Sequence, residues 1–179
     1  MLIPAALLGI TLAAPTAASD VCERKIPAQV HTEISRSFPG YRLARSSDYD
    51  PGDLEHERQF HDGSTCISVA SADVDGNGLR DFAFLITSAE RGTKLVVARN
   101  LKSGWQLKSL WDLKGEAPGR YYVNVIGAGK YDNLYDPTED GEVSSIRSKF
   151  PGIISGAIES SGVAYFFTSH GWAHLWLSD

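Results

Sequence analysis

Two cysteines, Cys22 and Cys66, are all the chain carries, and neither belongs to a Cys-x-x-Cys pair or a Cys/His cluster. That spacing argues against a zinc site or a dithiol redox centre. There is no Gly-x-Ser-x-Gly elbow and no P-loop, so acyl transfer at an activated serine and nucleotide hydrolysis lose their usual marks. None of the histidines, His31, His56, His61, His170 and His174, stands in a context that marks a base beside a nucleophile. Basic residues are nowhere concentrated: 17 Lys and Arg against 22 Asp and Glu leave a formal charge of -5. Nucleic acid is therefore not an expected partner, and mild acidity suits a soluble exported protein or a basic partner.

Charge is missing altogether from residues 1–19, an apolar stretch that ends in small residues. This is the core and cleavage region of a secretory signal, with cutting expected after Ala18 or Ser19, although no Lys or Arg precedes the apolar core. Two prolines and the absence of basic flanks argue against a membrane anchor, so no membrane span is expected after cleavage. Residues 20–179 then form one calcium-binding, β-rich domain in the periplasm or outside the cell, large enough to bury a core. In such an oxidising compartment Cys22 and Cys66 are expected to pair. Closing that loop is worth roughly 4 kcal/mol by chain entropy.

What the chain does have is a regular run of oxygen side chains, Asp73, Asp75, Asn77 and Asp81, with Gly76 and Gly78 between them. A loop wrapped around a hard cation presents its odd positions inward, and glycines supply conformations that a β-carbon resists. Leu79 would add its carbonyl oxygen, giving an all-oxygen shell of the kind Ca2+ takes. A plain β-turn also explains the glycines, but not the spacing of the four oxygen side chains. The loop is not an EF-hand, because Phe84 stands where a bidentate glutamate is needed.

The pattern Asp-x-Asp-Gly-Asn-Gly-x-x-Asp, entered from a strand and left through Phe82-Ala-Phe-Leu-Ile86, resembles the calcium loop of FG-GAP and VCBS-type repeats. The resemblance covers residues 71–86 and implies Asp73, Asp75, Asn77, Leu79 and Asp81 as ligands. The loop occurs once and the Phe-Gly and Gly-Ala-Pro segments are missing, so the ion site carries over and the repeat propeller does not.

Ile26, Val30, Ile34 and Phe38 recur every four positions and predict one amphipathic helix, ended by Pro39-Gly40 and docked on a sheet. Residues 41–44 suggest a short strand and 46–53 a loop. His56, Glu57 and His61 are spaced His-Glu-x-x-x-His, one residue too long for a zincin helix, and read as a solvated turn or edge strand. Strand-like runs then follow at 66–70, 82–87, 95–98, 105–111, 121–126, 153–159, 163–168 and 172–177, separated by turn dipeptides. The expected class is mostly β (α+β): an antiparallel meander forming a sandwich or partly closed barrel, with one N-terminal helix. Tyr131 to Ser148 interrupts the rhythm as a polar, acidic excursion, either functional or merely solvated.

The segment Ser161-Gly162-Val-Ala-Tyr165 resembles the Ser-Gly-x-x-Tyr motif of bacterial periplasmic lysozyme inhibitors, which implies Ser161, Gly162 and Tyr165 as partner contacts. The companion Tyr-x-x-x-Lys-Gly stretch of that family is absent. The expected function is a non-enzymatic, exported binding protein, most concretely an inhibitor or immunity protein against a lysozyme-like peptidoglycan hydrolase. Two alternatives stand beside it. One is a calcium-dependent hydrolase using the acidic 131–148 loop; the other is a carbohydrate- or surface-binding module.

Overall fold

A computed structural model describes residues 20–61 and 63–178. The expected signal segment, 1–19, lies outside the described residues. Three short helices precede most of the sheet structure: α1 (Val21–Lys25), α2 (Ala28–Ser37) and α3 (Pro51–Glu57). The expected single helix from Ile26 begins two residues later, because Pro27 pushes Ile26 into extended backbone at φ -105° and ψ 134°. Val30 and Ile34 remain its buried stripe. The helix α3 replaces the expected loop and edge strand. Its start is a cap, with the Asp50 carboxylate accepting the Gly52 N–H at 2.7 Å ahead of Pro51 in the first turn. Helical spacing also brings Glu57 and His61 together, 3.4 Å apart and buried. Burial holds the Glu57 carboxyl above its ordinary range.

The strands form two antiparallel sheets and a hairpin, in agreement with the mostly β, sandwich-like class expected. The first sheet contains β1 (Arg42–Leu43), β2 (Val69–Ala72), β3 (Asp81–Ser88), β4 (Gly92–Leu101) and β5 (Gly104–Leu113). Here β1 and β2 lie end to end along one edge of β3, and β4 and β5 follow on its other side. The second sheet runs β11-β10-β9-β6, built from β6 (Tyr121–Ile126), β9 (Gly152–Ala157), β10 (Gly162–Thr168) and β11 (Gly171–Ser178). Between them in sequence, β7 (Gly129–Asp132) and β8 (Ser145–Ser148) make a hairpin out of the ends of the acidic excursion.

Alternation along the strands separates the core into layers. Phe82, Phe84 and Ile86 of β3, with Val96 and Ala98 of β4, meet Val30 and Ile34 of α2 and the two cysteines. The opposite face, Ala83, Leu85, Leu95 and Val97, packs on Val123, Ile153, Val163 and Tyr165 of the second sheet. Strand β3 is thus buried on both faces, which is why it reads as an unbroken apolar run. The outer face of the second sheet, Ala164, Phe166 and Leu175, is covered by Tyr131, Val143 and Ile146 of the excursion. Apolar residues hidden at intervals in a polar segment are what make the excursion a lid for that face.

The two sheets approach along one side, where the Val123 N–H donates to the Ile67 carbonyl at 2.8 Å. On the other side the edge strands β5 and β11 stay apart, so the barrel is not closed. The excursion occupies the outer edge of β11: the Leu134 N–H donates to the Trp176 carbonyl, and His174 and Gly141 bond at 2.8 Å. Covering an edge in this way blocks strand addition there. Cys22 and Cys66 are joined in a disulfide and wholly buried in the first core layer.

Candidate metal centre

The loop between β2 and β3 places Asp73, Asp75 and Asp81 so that one carboxylate oxygen of each lies within 4.8 Å of the others. The backbone builds this convergence. Asp73 Oδ1 accepts the N–H groups of Gly76 (2.8 Å) and Asn77 (3.1 Å), and its Oδ2 accepts that of Gly78 (2.9 Å). Asp75 Oδ1 accepts the Asn77 N–H at 3.2 Å. Gly76 and Gly78 adopt φ of 72° and 81°, conformations that an L side chain resists. The aspartates that build the turn are therefore also the ones that could hold an ion.

Asp81 opens β3 and is the most enclosed of the three, at 1 % exposure. Its oxygens accept N–H groups from Val74 (3.0 Å) and Asn100 (2.7 Å). Burial holds its carboxyl above the ordinary range; the two backbone N–H groups work against that rise, and the charges of Asp75 and Asp73 add to it. Asp75 is compensated by Arg99 of β4, whose Nε donates to Oδ2 at 3.0 Å. The Arg99 guanidinium also lies 3.8 Å from the Phe167 ring centroid, so the loop is tied to β10 of the second sheet. One guanidinium against three carboxylates leaves the centre electrostatically short of positive charge.

Asn77 and Leu79 stand in the same turn. The Asn77 amide oxygen accepts the Leu79 N–H at 2.7 Å, and its nitrogen donates to the Asn100 carbonyl at 2.9 Å. That oxygen has a second lone pair, so an ion could share it. The donor set is all oxygen, with no sulfur or imidazole, which fits a hard cation. The structure thus brings together the three aspartates singled out from spacing. Arg99, Asn100 and Phe150 complete the surroundings without any local mark in the sequence, because they come from strand pairing and from a segment far along the chain.

Phe150 lies over the loop, at the place a β-carbon on Gly76 would occupy, with its ring atoms 2.0–2.5 Å from that point. Gly78 has a similar φ but open space. Gly76→Ala is expected to cost the backbone penalty of about 1–2 kcal/mol plus displacement of the Phe150 ring, and Gly78→Ala the backbone penalty alone. Urea unfolding of the two variants in chelator checks the order; equal losses would remove Phe150 from the loop's support.

The other residues marked in advance lie elsewhere. Ser161 is half-buried in the turn between β9 and β10, and Gly162 is buried at the start of β10. Tyr165 is only 6 % exposed and sits along the strand, in the core layer between the sheets. At about 3.3 Å per residue, the strand carries it well away from the turn, so Ser161 and Tyr165 do not share a surface. In the excursion, Glu142 accepts hydrogen bonds from Thr138 N–H (2.7 Å), Asn133 (3.0 Å) and Glu139 N–H (3.2 Å), which hold its carboxyl below the ordinary range. No helix among the described residues is long and apolar enough to cross a membrane. Compared with family models, with curated proteins and with solved structures, the chain matches none at a significant level.

Proposed function

We propose that the chain is an exported, calcium-stabilised binding protein that takes another protein as its partner, most concretely a lysozyme-like cell-wall hydrolase that it inhibits. The calcium part rests on the convergence of Asp73, Asp75 and Asp81 within 4.8 Å in an all-oxygen loop. Asn77 and Leu79 would complete the shell through an amide and a carbonyl oxygen. All ligands come from one loop wedged between β2, β3 and β4, so the ion's role is to hold that loop rather than to activate a substrate.

The binding part rests on the turn between β9 and β10. Glu159 holds φ 58°, an uncommon backbone conformation for a residue with a side chain. Such conformations persist only where the surroundings enforce them, and they gather at functional sites. Ser160 and Glu159 line a shallow pocket with His56 and Phe60, and Phe60 is 59 % exposed. Ser160, the Glu159 carboxylate and the exposed Phe60 ring thus share one surface, and Ser161 follows on the same turn. The net charge of -5 suits a basic partner.

In the excursion, Glu142 holds three neighbours and the chain covers β11. These are structural tasks.

Lysis of bacterial cell walls by a panel of lysozymes and peptidoglycan hydrolases, with the protein titrated in, tests the reading. Inhibition of at least one enzyme is expected, weakened by Phe60→Ala and by Ser161→Ala. Uninhibited lysis across the panel would overturn the hydrolase partner, and inhibition insensitive to both variants would move the contact surface away from this turn.

A further inference from the structure

We infer that the open side of the sandwich, between the edge strands β5 and β11, is a binding site for a short neutral saccharide. This goes beyond the protein-binding reading and depends on neither the calcium loop nor the β9–β10 turn. The gap forms a cleft of about 390 Å³, within the range of small-molecule sites. Its walls carry three of the chain's four tryptophans: Trp111 from β5, and Trp172 and Trp176 from β11. Trp111 meets Tyr121 edge-on at 5.2 Å, Trp172 meets Phe167 at 5.4 Å, and Trp176 meets Tyr135 at 6.3 Å. Rings already held by neighbours lose little freedom when a ligand stacks on them.

Tyr165 closes the cleft between these walls. It is 6 % exposed, and its ring lies 5.6 Å from that of His174. Burial pushes the phenol far above its ordinary pKa and the Glu139 carboxylate adds to this, so the group stays a proton donor. A ligand oxygen in the cleft would accept from it.

Charge narrows the class of ligand. Lys108 lies on the β5 wall, His174 on β11, and Glu139 and Asp140 on the rim supplied by the excursion. Two carboxylates beside one ammonium disfavour an anion and leave a cation as the alternative that the charged control tests. They do provide donors and acceptors around apolar walls, and a pyranose ring presents that combination: a C–H face to stack and a rim of hydroxyls to bond.

The backbone is adjusted at the same place in both edge strands. Pairing of β4 with β5 slips beside Trp111, where Leu95 faces Trp111 and Val96 faces Ser109. Pairing of β10 with β11 slips beside Trp176, between Gly162 and Val163. Bulges re-aim side chains at sheet edges and beside binding sites. Here each turns a tryptophan-bearing strand at the cleft.

Tryptophan fluorescence titration with cellotriose, maltotriose, xylotriose and tri-N-acetylchitotriose, with tetramethylammonium as a charged control, tests the assignment. At least one saccharide is expected to perturb the emission saturably at millimolar concentration or below. Tyr165→Phe, which removes only the hydroxyl, should weaken that binding by roughly threefold to tenfold, and Trp111→Ala, on an exposed edge strand, by more. The melting temperature of Tyr165→Phe should stay close to that of the parent, which separates a ligand contact from a structural one. Silence from every saccharide, a response to tetramethylammonium alone, or binding indifferent to both variants would each overturn the inference.

Discussion

Calcium added to the chelator-treated protein is expected to raise its melting temperature by about 5–11 °C when the free ion reaches a hundred times its dissociation constant. The size follows from linkage: an ion that binds only the folded state contributes about 2.7 kcal/mol at that ratio. A domain of this length moves about 2–4 °C per kcal/mol. The physical source is the charge imbalance of the loop. Asp81 is 1 % exposed, Asp73 and Asp75 lie beside it, and Arg99 neutralises one of the three. A divalent cation relieves that repulsion and replaces it with attraction inside a partly desolvated site. Magnesium should give a smaller shift, because it dehydrates reluctantly and demands a stricter geometry.

Asp73→Ala and Asp81→Ala should abolish the calcium response. Both also remove acceptors from backbone N–H groups, three for Asp73 and two for Asp81. Their melting temperatures will therefore fall for reasons unrelated to the ion. The informative quantity is the difference between calcium and chelator for each variant. A variant that keeps its full calcium shift would remove that aspartate from the ligand set, and a parent with no shift would remove the ion.

The double replacement Cys22→Ala with Cys66→Ala is expected to cost about 4 kcal/mol, close to the lower end of the total stability of a folded domain. The disulfide spans 44 residues, and releasing it restores the freedom of that loop to the unfolded chain. On the scale used above this is a fall of about 8–16 °C. The folded state feels it too, since both cysteines are wholly buried beside Val30, Val69 and Phe84. Besides the packing of Val21 and Ile26, two polar contacts hold α1: Asp20 Oδ2 accepts the Ser46 hydroxyl at 2.6 Å, and Glu23 pairs with Arg45 at 2.6 Å. Those contacts are partly exposed, and exposed ion pairs contribute about 0–1 kcal/mol. Urea unfolding of the double variant measures the loss. A cost below about 1 kcal/mol would mean that the packing of Val21 and Ile26, rather than the covalent link, fastens the N-terminal segment.

The acidic loop of Asp73, Asp75 and Asp81 was legible because its information is local. Side chains at alternating positions and two glycines in the left-handed region define the turn whatever the rest of the chain does. The strands were legible for a similar reason, since β-type runs punctuated by turn dipeptides need no partner to be noticed. The helices were read less well. Ile26 shares the period of Val30 and Ile34, but Pro27 interrupts the helix between them; the Asp50-Pro51 cap was a start signal that the polar composition of 46–53 obscured.

Tertiary structure alone decided everything that joins distant segments. The apolar positions of the excursion, Tyr131, Val143 and Ile146, look like isolated residues in a polar stretch until the second sheet offers them a face to cover. Trp111 is separated from Trp172 and Trp176 by much of the chain, and they line one cleft only because the two sheets approach along the β2–β6 side and remain open along β5 and β11. Tyr165 shows the difference most sharply. Its spacing from Ser161 suggested a shared turn, whereas a strand carries residues away from the turn and alternation turned this ring toward the core. Sequence by itself determined the oxygen-rich loop, the paired cysteines' opportunity to meet and the β-rich class, because short-range stereochemistry sets each of them. Which surfaces face each other, and so where a ligand or partner can be held, depended on packing between sheets, a long-range outcome that no local pattern encodes.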